Sequence, residues 1–217
     1  MKPNCLSRGR GIYLIDDISQ LEADDEHIVS RYVDNPYLIN GLKFDLRIYV
    51  VVTCYDPLWV YVFKEGLAWF ATEKYKKGCK DNKFMHLTNY SINKKSGKFQ
   101  SNKDIHWDDE GSKWSLTGWC QYMVGLGHDM DKIWKDIYDV ILKSLIAGEK
   151  HIVNALRRSV PHRSNCFELF GYDVMLDENL KPWLMEINLS PSLTCDTNLD
   201  FIIKSTVLVN LFNMIGF

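Results

Sequence analysis

The sequence predicts an α+β fold of antiparallel sheets with packed helices, and three observations carry that expectation. Runs of β-branched and aromatic residues separated by turn signals fill the first third of the chain. Two segments with apolar residues at helical spacing follow. The period then returns to two in a late pair of strands before a final helix, an order that does not alternate strand with helix.

In the first third, a glycine-rich SRGRG precedes YLI, then HIVSRYV, then the long run KFDLRIYVVVTCY. Tyr55, Asp56 and Pro57 end that run, WVYVF follows, Lys64, Glu65 and Gly66 read as another turn, and LAWFAT completes an antiparallel meander. Residues 73–111 are polar and irregular apart from FMHLTNYSIN, and a loop that long inside a domain is usually functional or mobile. SKWSLTGWCQYMVG reads as a helix capped by Ser112. From about Asp131, Ile133, Trp134, Ile137, Val140, Ile141 and Leu145 recur at helical spacing. CFELFGYDVMLD and PWLMEINLS form a hairpin about the turn DENLK, and LDFIIKSTVLVNLFNMI closes the chain as an amphipathic helix.

A chain of 217 residues, 46% apolar and 13% aromatic, buries a real core and forms one domain or one large fragment of a bigger one. No window holds the roughly 18 apolar residues that span a bilayer, and no apolar stretch follows the basic start, so a soluble intracellular protein is expected. Six scattered cysteines without a CxxC pair read as reduced thiols. The net charge of −2 gives no general pull towards nucleic acid or membrane, and neither is expected as a partner. Its distribution is uneven: residues 74–103 hold nine lysines against Asp81, a local +8 that leaves −10 for the rest. Such a segment suits an acidic partner such as a carboxylate-rich peptide tail, or is simply a solvated lysine-rich loop.

The late hairpin carries the sharpest chemical signal. Glu186 and Asn188 stand two apart between apolar neighbours and so face one way, and a short turn puts Asp173 opposite or diagonal to Glu186. Two carboxylates and an amide oxygen form the kind of hard-oxygen set that Mg²⁺ takes together with substrate phosphates; the alternative is an exposed polar sheet face. Lys43, Asp45 and Arg47 likewise share one face of a strand that is otherwise apolar. They fit either charge neutralisation beside a transferring phosphoryl group or a cross-strand ion-pair ladder. Arg8, Gly9, Arg10 and Gly11 fit a backbone phosphate nest or a plain turn, and match neither the P-loop nor the dinucleotide fingerprint. His86, Thr88, Asn89, Tyr90 and Ser91 are a run of hydrogen-bonding side chains suited to a polar ligand or to a satisfied turn.

Taken together, the initial KP, SRGRGI, KFDLRIYV, EGLAWFAT, HLTNYS, GYDVMLD and KPWLMEINLSPSL resemble the tubulin tyrosine ligase-like family, in order and spacing, over the whole chain. VPHRSNCFELFGYDVMLD is most similar to the members that build glutamate side chains on tubulin. The resemblance implies an ATP-grasp fold, of which residues 1–217 would be the central and C-terminal portions, without the amino-terminal lobe that precedes KP in the family. It implies ATP and Mg²⁺ as cofactors, free L-glutamate as one substrate and the acidic tails of tubulin or microtubules as the other. ATP would convert a carboxylate to an acyl phosphate, which the amine of the incoming glutamate attacks to give an isopeptide bond.

Carried over by position, Lys2, Arg8 and Gly9 would contact phosphates, and the backbone of Ser30, Arg31, Tyr32 and Val33 would hold adenine. Lys43, Asp45, Thr88 and Asn89 complete the nucleotide site. Asp173, Glu186 and Asn188 match the magnesium ligands, and Arg47 would sit beside the reacting phosphate, so that Arg47, Asn89 and Glu186 are the catalytic candidates. Tyr90, Ser91, Lys113 and Lys204 would receive glutamate with an arginine of the family that is Trp69 here. An indole brings one N–H, no charge and more bulk, so a forked carboxylate contact worth about 1.5–3 kcal/mol is replaced by a group that obstructs the pocket, unless neighbouring cations take over. Trp59, where relatives often carry a basic residue, is expected to be exposed. The implied location is the cytoplasm and cytoskeleton, with cilium or basal body as special cases. Rival expectations are a catalytically impaired nucleotide- or microtubule-binding module and a glycine-adding ligase of the same family.

Overall fold

A computed structural model describes residues 1–3, 9–20, 27–100, 111–160 and 166–216. Arg8, Cys5 and Lys103, together with parts of the SRGRG and VPHRSN segments, lie outside the described residues.

Two short strands, β1 (Lys2–Pro3) and β2 (His27–Ile28), pair antiparallel. The YLI segment is not a strand, and only two residues of HIVSRYV are; Ile28 and Val29 are half exposed, so no sheet face holds them. The main sheet follows. β3 (Leu38–Ile39) pairs with the start of β4 (Leu42–Tyr55), and β5 (Leu58–Phe70) returns beside it. Lys64, Glu65 and Gly66 do not turn the chain, contrary to the sequence expectation. The strand runs through them, and the register with β4 shifts between Ile48 and Val50. Gly66 makes that passage possible, since a Cβ there would stand 2.3 Å from the Arg47 carbonyl oxygen and 2.7 Å from Leu116 Cδ1.

FMHLTNYSIN forms two single turns of helix, α1 (Lys83–His86) and α2 (Tyr90–Asn93). β6 (Lys113–Ser115) joins the free edge of β5, and α3 (Leu116–Gly125) starts directly after it. The cap is therefore Ser115, which accepts from the Gly118 amide, and not Ser112, because residues 113–115 are committed to the sheet. α4 (Met130–Ser159) is capped by Asp129 and buries Ile133, Ile137, Ile141 and Leu145, a single stripe at four-residue spacing. β7 (Glu168–Leu176) and β8 (Pro182–Leu189) form the expected hairpin, and α5 (Asn198–Ile215) ends the chain inside a capping box made by Thr197 and Asp200. This last helix is apolar around its circumference rather than amphipathic. Ile203, Val207 and Leu211 are buried while Phe201, Ile202, Val209 and Phe212 are exposed.

The strand order is β6-β5-β4-β7-β8, every pairing antiparallel. Alternation along β4 assigns each face its task. Phe44, Leu46, Ile48, Val50 and Val52 join Tyr172, Val174 and Leu176 in the main core against Trp119, Met123 and the buried stripe of α4. The opposite face bears Lys43, Asp45 and Arg47 towards one end, then Tyr49 and Val51, which pack with Leu67 and Leu169 under α5. Among the described residues no helix is long and apolar enough to cross a membrane. The described cysteines Cys54, Cys79, Cys120, Cys166 and Cys195 are free thiols.

Candidate active site

The polar face of the sheet borders a cavity of about 950 Å³. Its walls come from five places, of which four are the start of the chain with Lys2 and Gly9, residues 30–33, the β4 residues Lys43 and Asp45, and the segment from Gly78 to Asn89. Asp173 and Glu186 of the hairpin close one side, with Met175 and Met185 as apolar neighbours.

Each polar wall is fixed by contacts that the local sequence dictates. In the hairpin, Asp173 faces Glu186 in register, the opposite rather than the diagonal of the two arrangements expected, and Gly171 faces Asn188. Arg47, the register partner of Asp173 on β4, grips it with a fork, Nε to Oδ1 at 2.6 Å and an Nη to Oδ2 at 3.0 Å. Asn188 donates to Asp173 Oδ2 at 3.2 Å, and Lys2 reaches Glu186 at 2.9 Å. Arg47 and Asn188 thus stand behind Asp173 rather than in the cavity wall.

Asp45 accepts from Thr88 Oγ1 at 2.5 Å, while its other carboxylate oxygen, Oδ1, is buried without a hydrogen-bond partner. Burial pushes the Asp45 carboxyl up, against the pull of Lys43 and of the Thr88 hydroxyl. An unsatisfied carboxylate oxygen in a cavity wall is costly unless something polar meets it there. Lys43 donates to the His86 carbonyl at 2.9 Å. Asn93 holds the backbone on either side of Thr88: its amide donates to the Leu87 and Asn89 carbonyls and accepts from the Thr72 backbone and hydroxyl. Gly9, at φ +72°, lies against Asn89: a Cβ would meet its Oδ1 at 2.5 Å.

A second cluster lies beside this one, across β5 and β6. Trp69 pairs in register with Asp45 on one side and Lys113 on the other. Lys113 is buried, binds Asp200 Oδ2 at 2.7 Å and lies 4.4 Å from the centre of the Tyr90 ring. Lys204 donates to the Thr194 carbonyl and stands 3.5 Å from Asp200 Oδ1. Burial opposes ionisation of Asp200, but the facing lysines, Lys113 foremost, hold its carboxyl below the usual range. The structure so brings together Trp69, Tyr90, Lys113 and Lys204, with Ser91 following Tyr90 in α2. Trp69 does not offer its N–H to a pocket: Nε1 is buried without a partner, and the indole lies over the Arg47 guanidinium at 4.6 Å. Trp59 is exposed, as expected.

Sequence reasoning missed Asp200, Asn93 and the contacts of His86. For Asp200 a signal existed in the Thr197–Asp200 capping spacing and in Lys204 four residues on. For Asn93 and His86 there was none, because their partners are set by the path of the loop.

The hairpin carboxylates are met by protein cations and an amide, Asp173 by Arg47 and Asn188 and Glu186 by Lys2. Among the described residues no three His, Cys, Asp or Glu side chains could hold a metal by themselves. Asp173 and Glu186 border the cavity with Asn188 behind Asp173, a hard-oxygen set of the kind that an ion completing its shell with phosphate oxygens and water would take.

The fold and this arrangement define a mixed α+β, ATP-grasp-like domain with its polar site on one sheet face. Comparison with known proteins agrees and goes further. The family described as "Tubulin-tyrosine ligase family" matches residues 1–217, and the chain belongs to that family. It is 49% identical over 219 residues to Tubulin polyglutamylase TTLL5 of Homo sapiens, covering 100% of this chain and 17% of that protein. To Tubulin monoglutamylase TTLL4 of Mus musculus it is 48% identical over 219 residues, covering 100% and 18%. The Probable beta-tubulin polyglutamylase of Tetrahymena thermophila is 43% identical over 214 residues, covering 96% and 18%. The chain spans about a sixth of the length of these curated relatives.

Proposed function

We propose that this chain is the nucleotide-binding and catalytic part of an ATP-dependent ligase that adds glutamate to glutamate side chains of tubulin's acidic tails. The observation that carries the proposal is the meeting of Lys43, Asp45, Asp173 and Glu186 with the backbone of residues 30–33 around one cavity. Joining a carboxylate to an amine in water is unfavourable, so the carboxylate must be activated. The terminal phosphoryl group of ATP passes to the acceptor carboxylate and ADP leaves. The amine of glutamate then attacks the acyl carbon, and phosphate departs as the amide forms.

The chain's residues position these groups and neutralise their charge. Residues 30–33 offer backbone to the base, Lys2, Gly9 and Lys43 face the phosphates, and Arg47 is held by Asp173 at the edge of the same site. Asp173, Glu186 and Asn188 would hold Mg²⁺, which when bound draws off negative charge from the phosphates. Lys113 and Lys204 face Asp200, with Asp196 also near Lys113, and their ammonium groups are the cations this cluster offers to the carboxylates of an incoming glutamate. Around the cavity, Lys80 and Lys83 belong to the lysine-rich segment and offer an acidic tail a place to lie. A cytoplasmic, cytoskeletal location follows from such a substrate.

Calorimetric titration of ATP with Mg²⁺, followed by incorporation of labelled glutamate into tubulin, tests the proposal. Heat of binding and incorporation are expected; absence of heat removes the nucleotide site, and glycine incorporated in place of glutamate changes the substrate. A second reading, a nucleotide-binding module that transfers nothing, draws on Trp69, whose indole occupies the face of Arg47. It predicts binding heat with no incorporation.

A further inference from the structure

Near the base end of the cavity, His86 ties together three stretches of chain that have no strand pairing with one another there. Its Nε2 lies 2.6 Å from the Cys79 carbonyl oxygen and its Nδ1 lies 2.8 Å from the Tyr32 hydroxyl. A carbonyl only accepts, so Nε2 carries the ring proton; Nδ1 is then the acceptor and Tyr32 donates to it. The backbone carbonyl of His86 receives Lys43 Nζ from β4, and Lys43 also lies 5.4 Å from the centre of the Tyr32 ring. Tyr75 packs edge-on against the imidazole at 5.9 Å and donates its hydroxyl to the Asp34 carbonyl, just after residues 30–33. Tyr32, Lys43, Cys79 and His86 all face the cavity.

We propose that His86 is a positioning residue of the nucleotide site, which, in its neutral Nε2–H form, sets the place of residues 30–33 through Tyr32 and of the 78–81 loop through Cys79. The inference rests on the nucleotide reading above and adds a device to it. Residues 30–33 are unpaired backbone with exposed side chains apart from Tyr32 and Val33, so the sheet does not locate them. The Tyr32 hydroxyl is the tether that does: its hydrogen bond runs to the acceptor nitrogen of His86, with the Tyr75 hydroxyl as its other neighbour. Burial and the nearby Lys43 hold the imidazole below the ordinary histidine range, against the pull of the Cys79 carbonyl. The groups that face the ring are Tyr32, Tyr75, the Cys79 carbonyl and Lys43. None is an acid that would keep the ring charged.

The test is calorimetric titration of ATP with Mg²⁺ into the unaltered protein and into Tyr32→Phe, His86→Phe, His86→Gln and the double Phe variant. Loss of one such hydrogen bond raises the Kd about three- to tenfold. Tyr32→Phe and His86→Phe are expected to do this to similar extents, and the double variant to do no more than the worse single one. His86→Gln, which keeps an amide donor and a carbonyl acceptor, is expected to recover part of the affinity. Affinity of the unaltered protein should fall on acidification through the imidazole titration, an inflection the Gln variant lacks. The KM for ATP should rise and the KM for glutamate should stay. If His86→Phe does not fold, Tyr32→Phe, which removes one oxygen, decides alone. ATP bound equally by the unaltered protein and by Tyr32→Phe overturns the role of His86 and leaves the nucleotide site standing. No binding by the unaltered protein overturns both.

Discussion

Replacing Arg47 by lysine keeps the charge and removes the fork. In the structure Arg47 is 7% exposed, and its guanidinium makes two contacts to Asp173 and lies under the Trp69 ring at 4.6 Å. A lysine ammonium reaches one carboxylate oxygen at a time, so one charged hydrogen bond is lost, about 1.5–3 kcal/mol. The planar stack on the indole weakens as well, which adds roughly 0.5–1 kcal/mol. Allowing for relaxation, Arg47→Lys should destabilise the fold by about 2–3 kcal/mol, which lowers Tm by roughly 4–12 °C for a chain of this size. If Arg47 also steadies the transferring phosphoryl group, kcat/KM for glutamate incorporation, measured where the variant is fully folded, falls about ten- to a hundredfold on top of that. The assays are urea unfolding and labelled-glutamate incorporation, run on Arg47→Lys, Asp173→Asn and the double variant. Coupling between the two substitutions is expected, because each removes the same pair. A lysine variant with unchanged Tm and an unchanged rate would refute the whole account of this pair.

Three further outcomes follow from other parts of the structure. Trp69→Phe, which keeps a ring on Arg47, should leave incorporation within about threefold, whereas Trp69→Ala should lower it about tenfold, the value of a stack near 1–2 kcal/mol; equal rates for both would show that the indole serves only the α5 core. The Asp200 carboxyl is held below its ordinary value, so its contribution to stability is present above about pH 4, the unfolded carboxylate range, and is lost as pH falls through the lower folded value. Unfolding free energies of the unaltered protein and Asp200→Asn should therefore converge on acidification and separate near neutrality, and parallel curves would contradict the pairing. Ile137→Ala, at a fully buried position of α4, should cost about 2–5 kcal/mol in urea unfolding while leaving the Kd for ATP unchanged, since it lies on the other face of the sheet.

Much of the site was legible because it is built on strands, and a strand's period of two is written in the sequence. Lys43, Asp45 and Arg47 alternate with buried residues, and the spacing of the hairpin sets Asp173 against Glu186. The misreadings share a cause. Lys64, Glu65 and Gly66 have turn composition, but the glycine serves a close approach to the Arg47 carbonyl, a demand that comes from β4, nineteen positions before it in the chain. Ser112 and Ser115 are equally good caps in isolation, and pairing of residues 113–115 with β5 decides between them. Asp200 is read locally as a cap residue, yet its main partner Lys113 is 87 positions away. His86 and Tyr32, 54 apart, meet only because the loop returns over the cavity. Composition reports what a residue tolerates, and it does not report which distant residue it will face.

The same alternation that makes the core also fixes the site, which explains how charges are held so closely without a rigid loop to carry them. A slip of one residue between β4 and β7 would turn Lys43, Asp45 and Arg47 towards Trp119 and the buried stripe of α4, and turn Phe44, Leu46 and Ile48 towards the cavity. Each apolar side chain so exposed would cost about 1.5–3 kcal/mol, and each charge so buried without its partner several more. The main core therefore imposes the register, and the register sets Arg47 opposite Asp173 and Asp173 opposite Glu186. By contrast, residues 30–33 and 78–81 belong to no sheet, so nothing in the core constrains them, and their place depends on side-chain tethers such as Tyr32 to His86. The carboxylate side of the cavity should accordingly be preformed, with the base side the part whose order a bound nucleotide can improve. Amide hydrogen exchange with and without ATP should show protection gained in residues 30–33 and 78–81 and little change in β7 and β8; equal gains in both places would mean that the core does not preform the carboxylate side.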